Sequence, residues 1–182
     1  MSIAINRQAD RLWILNVGDL KPYEREIEFF INYGWNATRW SPNNLSSFVT
    51  QWAQRDFGLS LSMAGTVTQI VANLTRFNSR RKPELLNSTT YSLINYREWG
   101  LLFNFSINIG SRLIFFGEVR ADNVLAEWAK LEVASTIIYN SLSSATKPAF
   151  FQLVHHPVIA SNNLAKLVRI LNFLLRYAIL LY

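Results

Sequence analysis

The sequence contains no cysteine, which excludes disulfides, thiolate metal ligands and cysteine nucleophiles and leaves the redox compartment open. Histidine occurs only as the adjacent pair His155 and His156. Neighbouring helix positions point about a third of a turn apart, so the pair makes no two-ligand face and reads as core or cap histidines. No Gly-x-Ser-x-Gly, Walker, dinucleotide or zinc-binding pattern occurs, and neither a metal nor a cofactor is expected. No apolar run reaches the roughly 20 residues of a membrane-spanning helix. Trp99 to Gly117 is broken by Asn104, Asn108 and Arg112, and Ile170 to Tyr182 is short and holds Arg176, so no membrane association is expected. Residues Met1 to Arg7 lack a charged region followed by a long apolar core, so the chain as written shows no signal peptide.

What is present is a chain of 182 residues, 50% apolar and only 16% charged, long enough to bury one sizeable core. Lys and Arg exceed Asp and Glu by 18 to 12, but they are scattered apart from Arg80-Arg81-Lys82. With no nucleic-acid motif beside that charge, nucleic-acid binding is not expected. Five Asn-x-Ser/Thr triplets, at Asn36, Asn44, Asn73, Asn87 and Asn104, would be glycosylation acceptors in a secreted protein.

Leu12 to Leu15 reads as a short strand with apolar residues on both faces, the pattern of a covered parallel strand. It stops at Asn16-Val17-Gly18-Asp19, and a helix beginning near Pro22 carries Tyr23, Ile27, Phe30 and Ile31 up to Gly34. Ser41 is expected to cap the next helix, with Pro42 in its first turn, a stripe of Leu45, Phe48, Val49, Trp52 and Ala53, and Gly58 as its stop. A further helix starts near Ser62 with Met63, Val67, Ile70, Val71, Leu74 and Phe77 on one face. A polar loop, Asn78 to Glu84, follows it, and Thr89 to Tyr96 is ambiguous between strand and helix. Downstream, Val124, Trp128, Leu131, Ile138 and Leu142 describe a long amphipathic helix, and Phe150, Phe151 and Val154 begin another that Pro157 kinks or ends. Asn162 or Asn163 is expected to cap a last helix carrying Leu164, Leu167, Val168, Leu171 and Leu175. The pattern is that of an α/β unit running into a helical bundle.

Three places carry candidate chemistry. Glu24 and Glu28 share a helix face, which reads as a solvated surface rather than a catalytic carboxylate pair. Asn16 to Lys21 stands at a strand end, where barrel enzymes place their pocket. Asn78 to Glu84 combines an amide, three cations and a carboxylate, suited to holding an anionic sugar, or to neutralising a helix C-terminus.

The blocks "LWILNVGDLKPYEREIEFF", "FNSRRKPELLN" followed by "TYSLINYRE", and "AFFQLVHHPVIASNNLAKL" resemble glycoside hydrolase family 115, the xylan α-glucuronidases. The resemblance implies a mainly α chain, the C-terminal piece of a (β/α) TIM-type barrel followed by a helical bundle. Residues 1–95 would be the last strand and helices of the catalytic barrel and residues 96–182 the bundle, with an apparent insertion at about 100–119 and a divergent tail at about 169–182. Family members release glucuronic acid or its 4-O-methyl ether by inversion, with one carboxyl group as acid and another as base. Those carboxylates would precede this strand, so no catalytic residue is assigned here. Asn16 and Asn78 match substrate-binding asparagines, while Gly18, Asp19, Lys21, Arg81, Lys82 and Glu84 would line or brace the pocket. The implied substrate is glucuronoxylan or its oligosaccharides, acted on outside the cell, and the implied full-length relative is a homodimer.

Overall fold

The computed structural model describes residues 1–21, 23–80, 85, 108–109, 112–113 and 116–180. Its elements are α1 (Ser2–Asn6), α2 (Glu24–Trp35), a 3-10 turn (Ala37–Arg39), α3 (Leu45–Phe57), α4 (Leu61–Arg80), β1 (Asn108–Ile109), β2 (Arg112–Leu113), α5 (Phe116–Ser141), α6 (Lys147–Phe150), a π-helical turn (Phe151–His155) and α7 (His156–Leu180). The expected mainly helical class holds. The two short strands pair antiparallel, Asn108 opposite Leu113. Pro22, the helix start, and Thr89–Tyr96 lie outside the described residues, as does most of the apparent insertion.

Each helix of the bundle follows from its apolar spacing. On α4 the residues Ala64, Val67, Ile70, Val71, Leu74 and Phe77 recur every three or four positions and are all buried. Gly58 stops α3 in the left-handed conformation, φ 64°, which a Cβ would oppose. Ser60 then accepts twice, its carbonyl from Ala64 N–H (2.9 Å) and its hydroxyl oxygen from Met63 N–H (3.3 Å), starting α4. The two axes bend by 119° there, and a Thr50–Thr68 hydroxyl pair at 2.8 Å ties them. No single helix among the described residues is long and apolar enough to cross a membrane.

One core joins α3, α4, α5, α6 and α7 through edge-to-face aromatic pairs: Trp52 with Phe57, Phe57 with Phe150, and Phe77 with Trp128, ring centres 5.0 to 5.1 Å apart. Such pairs contribute roughly 0.5–1.5 kcal/mol each beyond their burial. The helix α2 has no fully buried residue. It is held to α3 by Phe29 against Phe48 (5.0 Å) and by a two-pronged Arg55–Glu28 fork, both N–O distances 2.7 Å.

Four local expectations are corrected. Leu12 to Leu15 forms no strand: among the described residues no neighbouring segment hydrogen-bonds to its backbone, and Leu12 and Ile14 stand 80% and 84% exposed. The α3 helix starts at Leu45, because Asn44 spends its side chain closing the turn before it, accepting from Ser41 N (2.7 Å) and donating to Arg39 O (2.9 Å). Asn162 and Asn163 lie inside α7 and cap nothing. Pro157 does not end the helix, which runs on through α7; it follows directly on the π turn Phe151–His155, an irregularity of the kind that accommodates a proline inside a helix.

Candidate functional site

The loop after residue 11 brings Asn16, Gly18, Asp19 and Lys21 together on an exposed turn. Asn16 Oδ1 accepts the Gly18 N–H at 3.2 Å, a local bond that asparagine side chains commonly supply to turns. Gly18 has φ +65° and nothing within 4 Å of a built Cβ. Its glycine is therefore required by the backbone angle, not by close approach to a neighbour.

Asn78 sits in the last turn of α4, together with Ser79 and Arg80, rather than in a loop. The helix runs on because Phe77 is buried against Trp128 and Arg80 finds a carboxylate: Arg80 Nη1 lies 2.6 Å from Glu127 Oε2. That hydrogen bond, outweighing burial, holds the Glu127 carboxyl below its ordinary range. Asn78 Oδ1 accepts from the Ser161 hydroxyl at 3.5 Å, which places it beside α7. Arg81, Lys82 and Glu84 lie outside the described residues. Among the described residues no bond joins the Asn16 turn to Asn78, and the two described cavities are lined by neither asparagine.

Glu24 and Glu28 are not a solvated face. Both are half-buried, Glu28 in the Arg55 fork and Glu24 accepting from Gln152 Nε2 at 2.9 Å. They dock α2 onto α3 and the π turn. His155 is a core histidine as expected, 6% exposed. The Ser135 hydroxyl donates to the Glu132 carbonyl (3.0 Å) and meets His155 Nδ1 at 2.9 Å. Tyr139 stacks on the imidazole, ring centres 4.9 Å apart. Burial pushes the His155 pKa down, partly opposed by the Glu132 charge.

A second polar group escaped sequence reading altogether. Asn162 is 1% exposed, its Nδ2 hydrogen-bonds Glu132 Oε2, and Lys166 Nζ lies 3.8 Å from the same oxygen. In sequence Asn162 looked like a helix cap, and only the packing of α5 on α7 sets it opposite Glu132. Among the described residues no three His, Asp or Glu side chains converge on a metal position.

Comparison with known proteins bears on the turn and on α4 together. The model of "Glycosyl hydrolase family 115" matches residues 1–85, a stretch that contains Asn16, Gly18, Asp19, Lys21 and Asn78. No curated protein matches the chain. A solved family 115 4-O-methyl-α-glucuronidase, described as having specificity for decorated arabinogalactans, superimposes with a TM-score of 0.67 at 23% identity. That match covers 92% of this chain, and the chain spans 21% of the solved one. The first 85 residues are therefore similar in sequence to glycosyl hydrolase family 115, and over nearly its whole length the chain is similar in fold to part of an enzyme of that family.

Proposed function

We propose that the chain forms part of the sugar-binding wall, and the adjoining helical layer, of a xylan α-glucuronidase that releases glucuronic acid or its 4-O-methyl ether with inversion. The observation that carries this reading is the family match over residues 1–85, which spans both asparagines and the turn. In this role Asn16 and Asn78 hydrogen-bond the uronic acid, and Arg81 and Lys82 favour its carboxylate. Gly18, Asp19 and Lys21 shape the rim, and Glu84 orients the basic pair. The acid and base of inversion are supplied from outside this stretch, in an extracellular, homodimeric enzyme acting on glucuronoxylan or its oligosaccharides. Residues 1–95 belong to its barrel and 96–182 to its bundle, the two sharing the core that joins α4 to α5 and α7. Decorated arabinogalactans, the specificity of the solved relative, are the second substrate class to assay.

The test has two readouts. The purified chain incubated with glucuronoxylan releases no glucuronic acid, and any release refutes the placement of acid and base elsewhere. Titrated with glucuronate, the side-chain amides of Asn16 and Asn78 shift saturably in NMR spectra; two unmoved amides refute the wall.

A noncatalytic interaction module is the second reading. It is favoured by Leu167, Ile170, Leu171 and Leu174, exposed on α7 at helical spacing. A single defined oligomer in sedimentation would support it over the first.

A further inference from the structure

The helices α5 and α7 run side by side, and a surface cavity of about 360 Å³ opens between them. Glu132, Asn162 and Lys166 line it with hydrogen-bonding heads, as does Thr136, whose hydroxyl already donates to the Glu132 carbonyl, and Ala129, Val133 and Ile137 supply apolar lining. None of these residues belongs to the candidate wall at Asn16 and Asn78. The polar groups are bonded to one another, but incompletely. Asn162 donates to Glu132, yet its Oδ1 is buried and has no hydrogen-bond partner. A buried carbonyl left in that state is destabilising, and structures seldom tolerate one without a donor arriving from water or a ligand.

The charges around the cavity narrow what that donor can be. An ammonium approaching Glu132 meets Lys166, whose Nζ already lies 3.8 Å from the carboxylate. An anion approaching Lys166 meets Glu132 in turn. A neutral hydroxyl group avoids both repulsions: it donates to Asn162 Oδ1 or to Glu132 and accepts from Lys166. Several hydroxyls on a small carbon frame would use all three heads, with the C–H surface of the frame against Val133 and Ile137. The cavity volume is that of a small-molecule site. Lys166, with its side chain 52% exposed, is the arm that can swing to admit such a ligand.

We propose that the α5–α7 cavity is a binding site for a small neutral polyhydroxy compound, held by Asn162, Glu132 and Lys166. This goes beyond the glucuronidase reading and does not depend on it, because the site lies apart from both candidate asparagines and selects against a uronate.

The test uses three ligands of one shape and different charge, methyl β-glucopyranoside, glucosamine and glucuronate, titrated into the full chain labelled with ¹⁵N. The readout is the Asn162 side-chain amide, which separates this site from Asn16 and Asn78. The neutral glycoside shifts that amide saturably, and the two charged ligands bind at least fivefold more weakly. Lys166→Ala, a change at a half-exposed position that leaves the fold intact by circular dichroism, weakens the glycoside at least threefold; Glu132→Gln provides the second variant and weakens it as well. An unmoved Asn162 amide overturns the proposal, and so does equal or tighter binding of glucuronate. Glycoside affinity unchanged in both variants overturns it too, since the named side chains would then not hold the ligand.

Discussion

Replacing Asn162 by aspartate isolates the electrostatics of the α5–α7 interface. The native amide donates to Glu132 Oε2 from a position 1% exposed to solvent. In Asn162→Asp that donor becomes a carboxylate facing a carboxylate. Two unit charges about 4 Å apart at an effective dielectric near 20 repel by about 4 kcal/mol. The molecule can escape by protonating one member, at about 1.4 kcal/mol for each pH unit above an ordinary carboxyl pKa near 4, which near pH 7 also comes to about 4 kcal/mol. Lys166, half-exposed beside the pair, takes back a modest part, so the expected loss near neutrality is about 3 kcal/mol. The sign of its pH dependence follows from linkage. A carboxyl whose folded pKa is raised binds its proton more tightly in the native state, so stability is intact below the unfolded pKa and is lost as pH rises through the folded one. Urea denaturation followed by far-UV circular dichroism at about pH 4.5 and about pH 7.5 reads both states, with the deficit falling to under about 1 kcal/mol at the lower value. Asn162→Leu is the control: it also removes the hydrogen bond but relieves the unpartnered Oδ1, and costs no more than about 1.5 kcal/mol at either pH. Equal deficits for Asn162→Asp at the two pH values would refute the reasoning, because a lost hydrogen bond alone has no such pH dependence.

Two further outcomes can be checked in the same way. His155 has its pKa pushed below the ordinary 6.5 by burial; the unfolded chain therefore takes up a proton that the native state resists, and stability held above 6.5 is lost as pH falls below it. The urea midpoint of the native chain should drop over that acid range, and the drop should be smaller in His155→Leu; parallel profiles would show that the imidazole is not responsible. Glycine replacements should divide by backbone angle, measured as thermal midpoints. Gly58→Ala, at φ +64°, destabilises by about 1–2 kcal/mol, whereas Gly65→Ala, helical with nothing within 4 Å of its Cβ, stabilises by about 0.5–1 kcal/mol.

The helical segments were legible because their information is local. The stripes Leu45 to Ala53 and Met63 to Phe77 place apolar groups every three or four residues, and a period of 3.6 admits one buried face whatever lies opposite it. The stop at Gly58 was legible for the same reason, since a left-handed residue is a property of one position. The turn around Asn16 and Gly18 was readable as a turn from the residues themselves, and the first quoted block and the start of the second fall in residues 1–85, which match the model of the family they resemble.

What the chain could not announce was every feature that needs a second element. Whether Leu12 to Leu15 becomes a strand depends on a hydrogen-bonding neighbour, and none is present beside it among the described residues. Asn78 extends a helix rather than opening a loop because Phe77 packs on Trp128 and Arg80 reaches Glu127, a partner 47 residues away. Glu28 is a structural anchor only because Arg55 lies opposite it on α3. Asn162 carries an ordinary capping signal in sequence, and the contact with Glu132, 30 residues earlier, makes it a buried polar group instead. By itself the sequence determined which segments coil and which faces of them are apolar, because side-chain periodicity and backbone preference act within a few residues. Tertiary structure alone decided which polar groups lost their water and met one another, because desolvation and pairing energies exist only once two distant segments are brought together.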